Sequence, residues 1–62
     1  MMWMRGMRVA MIHDGVEVAV PKGTLGTIIC MDYEDTDIYT YSIQFDNGIL
    51  ASGIRQYHLE LM

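Results

Sequence analysis

Two histidines, one cysteine and a run of acids are the residues of this chain with the means to do chemistry. His13 precedes Asp14, and His58 stands two places before Glu60, so each imidazole has a carboxylate close by in sequence. An imidazole oriented by an acid activates a nucleophile only if a thiol or hydroxyl lies within hydrogen-bond reach. Cys30, the single thiol, lies among Ile28, Ile29 and Met31, where a buried and inert sulfur is expected. No triad pattern is assembled, so the chain is not expected to be an enzyme or to hold a cofactor.

The acids are unevenly spread. Asp32, Glu34, Asp35, Asp37 and Asp46, five of the eight acids, fall within fifteen residues. A calcium loop of the EF-hand type needs glycine at its sixth position and a distal bidentate glutamate. Asp37 and Ile38 stand where that glycine belongs, and no Cys/His spacing suits zinc, so no metal site is expected. The stretch Asp32–Asp37 reads instead as one exposed polar loop. Its charge either keeps the protein soluble or meets a basic partner. Tyr33 lies in that loop, and Tyr57 in a predicted 3₁₀ turn. With Glu34, Asp35 and Asp37 they form the candidate partner-binding set, since exposed tyrosines favour interfaces.

These residues need a scaffold, and the stretch from Tyr39 to Leu50 supplies its key. Tyr39, Tyr41, Ile43 and Phe45 point one way while Thr40, Ser42 and Gln44 point the other. Asn47-Gly48 suits a two-residue turn with both residues at positive φ. That turn sets Phe45 opposite Leu50, Ile43 opposite Ser52 and Tyr41 opposite Ile54. Further strands are expected over Arg8–Ile12, Val16–Val20, Thr24–Met31 and His58–Leu61, with Leu59 and Leu61 inward. Gly26 marks a bend or a close backbone approach, and Gly53 permits a bulge. Trp3 is expected to dock on the sheet or on a partner. The class is all-β, a small barrel of about five short strands, with residues 1–5 as a tail and 6–62 as one domain.

Sixty-two residues with 52% apolar content and no internal disulfide leave a marginal core, so a homo-oligomer is an open expectation. The net charge is −4, and Arg5, Arg8, Lys22 and Arg55 are scattered, which disfavours nucleic acid as a partner. No run of about 18 apolar residues predicts a membrane span. A lone thiol fits a reducing compartment, and the cytoplasm is expected.

Gly6-x-Arg8-Val9, Pro21-Lys22-Gly23-Thr24-x-Gly26-Thr27-Ile28, Phe45-Asp46-Asn47-Gly48 and Leu59-Glu60-Leu61 occur in a telling order. Together they resemble the small SH3-like barrel proteins of phages and Gram-positive bacteria, over residues 6–61. The resemblance implies an SH3-like barrel and a modulator of a bacterial host process, acting in the host cytoplasm if phage-encoded. In barrels of that kind, loops such as those of Tyr33 and Tyr57 flank the ligand groove. Two alternatives stay open. Val18-x-Val20-x-x-Gly23-x-x-Gly26 resembles the KOW element of ribosomal and transcription proteins, which implies RNA or protein binding. The plasmid-borne trimethoprim-resistant dihydrofolate reductases use a similar barrel around a pore, where their Val-Gln-Ile-Tyr segment corresponds to Leu50-Ala51-Ser52-Gly53 here.

Overall fold

Alternation of apolar and polar residues governs the architecture. A computed structural model describes residues 3–15, 20–35 and 38–62, with the backbone but not the side chains of Glu34, Asp35 and Ile38. Among the described residues there are five strands: β1 (Arg8–Met11), β2 (Leu25–Asp35), β3 (Ile38–Phe45), β4 (Leu50–Arg55) and β5 (Leu59–Leu61). A 3₁₀ turn, η1 (Gln56–His58), joins β4 to β5. The strands form one antiparallel sheet in the order β4-β3-β2-β1-β5. The all-β class expected from the sequence holds. Of the expected strand Val16–Val20, residues 16–19 lie outside the described residues, and Val20 is buried.

One buried cluster takes Val9 and Met11 from β1, Ile28 from β2, Tyr41, Ile43 and Phe45 from β3, Ala51 from β4 and Leu59 from β5. Neighbouring strands lie about 4.8 Å apart, so a flat sheet would hold β4 and β5 too far apart to share a core. The sheet therefore curls around one apolar centre. Trp3 packs against this cluster, as expected. Leu61 does not join it, because the strand ends at the rim of the sheet, and it stays exposed.

Two register details correct the expected hairpin. The turn after β3 has three residues rather than two: the Phe45 amide donates to the Ile49 carbonyl, and only Gly48 takes positive φ (93°). Gln44 consequently opposes Leu50, and Ile43 opposes Ala51 rather than Ser52. A bulge at Ser52-Gly53 then adds one residue to β4, with Gly53 at φ 70°, and restores the expected pairing of Tyr41 with Ile54.

The acidic stretch needs the larger correction. Asp32, Tyr33, Glu34 and Asp35 are not loop residues; they extend β2, where Asp32 opposes Thr40, Tyr33 opposes Tyr39 and Asp35 opposes Ile38. Polarity lowers burial, but it does not stop a backbone from pairing in an outlying part of a hairpin. Asp37 lies outside the described residues.

The β3–β4 turn is tied down across β2. The guanidinium of Arg8 makes a two-pronged ion pair with Asp46 and donates a further bond to the Thr27 hydroxyl at 2.9 Å. The hydrogen bond from Arg8 holds the Asp46 carboxyl below its ordinary value, and their mutual charge adds to this. Such a carboxylate contributes stability above its unfolded-state value, and that stability is lost as pH falls through the folded value. Both groups are solvent-exposed, so the contribution is small and screened by salt. Asp46→Asn should lower the urea midpoint at about pH 7, and the difference should vanish near pH 2 or in roughly 1 M salt. Equal gaps under all three conditions would rule the ion pair out as the cause.

Candidate functional site

A second bulge decides which side chains of β2 face inward. Ile28 opposes Ile43, but it is Cys30 rather than Ile29 that opposes Ser42, so β2 carries one extra residue. Side chains alternate with period two, and one inserted residue exchanges the two faces. Ile29 and Cys30 both emerge to solvent, and Met31 turns to the core. The expectation of a buried thiol is thereby overturned. Beyond the bulge it is Tyr33, not Asp32, that shares a face with Tyr39 and Tyr41.

An aromatic face follows from that exchange. Tyr33 and Tyr39 meet as a cross-strand pair with ring centroids 4.4 Å apart and hydroxyls hydrogen-bonded. Tyr39 is half-buried against the core, while Tyr33 is 66% exposed. Tyr41, one step further in, is fully buried, so core packing holds for it as expected. Its hydroxyl donates to Gln56 Oε1 at 3.2 Å and accepts from the Trp3 amide at 3.4 Å. The Trp3 ring lies 5.8 Å from the Tyr41 ring. A single phenol thus ties the N-terminal segment to η1. Because Thr40 opposes Arg55, Tyr39 comes level with Gln56, next to Tyr57. Tyr57 is 65% exposed and stacks on His58, with centroids 4.3 Å apart.

The two histidines meet in a way that sequence proximity did not suggest. Met11 opposes Leu59, and the Ile12 amide donates to the His58 carbonyl at 3.0 Å, carrying the β1–β5 ladder one step past its last pair. That extra step sets His13 beside His58. Their rings meet edge to face with centroids 4.6 Å apart, and His58 Nδ1 lies 2.8 Å from His13 Nε2. Desolvation lowers the proton affinity of His58, and positive charge on His13 and Arg55 lowers it further. The Asp14 carboxylate turns elsewhere, accepting the Lys22 amide at 2.8 Å. The two histidines, 45 residues apart in the chain, pair with each other.

Of the expected partner-binding set, Tyr33 and Tyr57 are both placed outward, each braced by a second ring. Glu34 and Asp35 follow Tyr33 on the β2 backbone, and Asp37 lies outside the described residues. Cys30 Sγ lies 3.8 Å from the Met31 carbonyl. Among the described residues no group of three or more His, Cys, Asp or Glu side chains is arranged around a metal position. No helix among them is long and apolar enough to cross a membrane. Compared with known protein families, curated proteins and solved structures, the chain matches none.

Proposed function

We propose that this chain is a small, acidic, non-enzymatic module that binds another protein through Tyr33 and Tyr57, with Tyr39 and His58 as the rings that brace them. The observation that carries this reading is the bracing of both exposed tyrosines. A ring already stacked on a neighbour has lost much of its freedom before binding, so an interface there costs less entropy to form. Tyrosine also offers apolar area and a polar tip together, which suits a surface that alternates between water and a partner. The acids Glu34, Asp35 and Asp37, which follow Tyr33 closely in sequence, favour a partner with a basic surface. The SH3-like resemblance, with its 3₁₀ turn before the closing strand, is consistent with this use of the face and with a role in modulating a bacterial host process.

The nucleic-acid alternative is weaker for a stated reason. Arg8, one of four cations such a module would need, is committed to Asp46 and Thr27. Affinity capture from nuclease-treated bacterial lysate, with the wild type beside Tyr33→Ser/Tyr57→Ser, separates the readings. A discrete protein should be retained by the wild type, and the double variant should lose at least about thirtyfold in affinity, the scale of an interface hot spot. Glu34→Lys/Asp35→Lys should weaken the same complex and flatten its salt dependence. Retention of nucleic acid alone, or equal capture by the tyrosine variant, would overturn the proposal.

A further inference from the structure

The geometry of the histidine pair points to a ligand of a different class, independent of any protein partner. We propose that His13 and His58 together chelate one divalent transition-metal ion, with Cu²⁺ held most tightly. The two facing nitrogens, His58 Nδ1 and His13 Nε2, lie 2.8 Å apart. Ligand nitrogens about 2.0–2.1 Å from one metal ion are roughly 2.9 Å apart when they occupy adjacent corners of a square or octahedron. The pair therefore already has the bite of two neighbouring ligands, and water fills the remaining positions.

Backbone pairing sets this approach, through the bond from the Ile12 amide to the His58 carbonyl. His13 Nδ1 lies 3.4 Å from the Asp14 carbonyl oxygen, where it donates its proton. That tautomer leaves the lone pair on Nε2, the atom facing His58. Metal-bound histidines use backbone carbonyls in the same way to fix ring and tautomer. His58 meets the ion by carrying its proton on Nε2, giving up the hydrogen bond between the two rings. The net charge of −4 attracts a cation, while Arg55 near His58 opposes it. Two imidazoles without a thiolate suit Cu²⁺, Ni²⁺ and Zn²⁺, and affinity among these is greatest for Cu²⁺.

The test uses the full chain carrying Cys30→Ser, which removes the only thiol, titrated calorimetrically with Cu²⁺, Ni²⁺, Zn²⁺ and Mg²⁺. One Cu²⁺ should bind per chain, Ni²⁺ and Zn²⁺ more weakly, and Mg²⁺ should give no heat. His13→Gln and His58→Gln should each weaken Cu²⁺ at least about tenfold with unchanged circular dichroism. Should His58→Gln fail to fold, the unsubstituted histidines decide the matter by NMR. Substoichiometric Cu²⁺ should broaden the ring signals of His13 and His58 before any others. Undiminished Cu²⁺ binding in His13→Gln, or broadening confined to the N-terminal methionines, would overturn the proposal.

Discussion

Gly26→Ala should cost most of the stability of this protein, although it adds a single methyl group. A Cβ at residue 26 would stand 2.6 Å from Ile43 Cγ2, 2.9 Å from Phe45 Cδ1 and 3.1 Å from the Gln44 carbonyl oxygen. Ile43 and Phe45 are both fully buried, so neither has room to retreat. Overpacking a tight core costs about 1–3 kcal/mol, sometimes more. A domain of this size rarely has more than about 3–5 kcal/mol in total. We expect the urea midpoint of Gly26→Ala to fall by more than half. The four glycines at positive φ, Gly6, Gly23, Gly48 and Gly53, have open space around the same position. Alanine there strains only the backbone, at about 1–2 kcal/mol. A midpoint for Gly26→Ala no lower than that of Gly48→Ala would contradict the close packing of β2 on β3.

Phe45→Ala is the complementary change, and its effect should be larger still. Phe45 opposes Gly26, so the missing side chain of one residue makes room for the ring of the other. Removing a buried phenylalanine ring costs about 3–5 kcal/mol, the lost burial plus the cavity left behind. That equals the whole stability expected here, so Phe45→Ala should be largely unfolded at room temperature without denaturant. Amide NMR signals should collapse toward random-coil positions. Phe45→Leu, which keeps most of the volume, should remain folded with a lowered midpoint. Well-dispersed signals from Phe45→Ala would show that β3 is not the centre of the core.

The hairpin was legible because its burial is two-sided in pattern: Tyr41, Ile43 and Phe45 alternate with polar residues and all end up buried. Its predicted Tyr41–Ile54 pairing survived only because a longer turn and the Gly53 bulge displace the register in opposite directions. The bulge in β2 had no such compensation. Nothing in Ile28-Ile29-Cys30 marks where an extra residue will be accommodated, since all three side chains suit either face. Reading alternation straight through it therefore put Cys30 inside. The acidic stretch failed for another reason, because hydrophobicity reports what is buried and not what the backbone bonds to. The histidine pair lay beyond local pattern altogether. It depends on β5 returning beside β1, a contact between residues nearly a whole chain apart that only the sheet order reveals.

Trp3 is the only tryptophan in the chain, and its ring lies beside that of Tyr41. Nature has thereby placed one fluorophore where the N-terminal segment, the core and η1 meet. Its emission should shift to longer wavelength when the segment detaches, and energy transfer to it from the nearby tyrosine should weaken as the two rings separate. A paramagnetic ion at His13 and His58, or a ligand laid across Tyr33 and Tyr57, would each alter that light in its own way. The protein thus carries its own optical gauge, without a dye or a label.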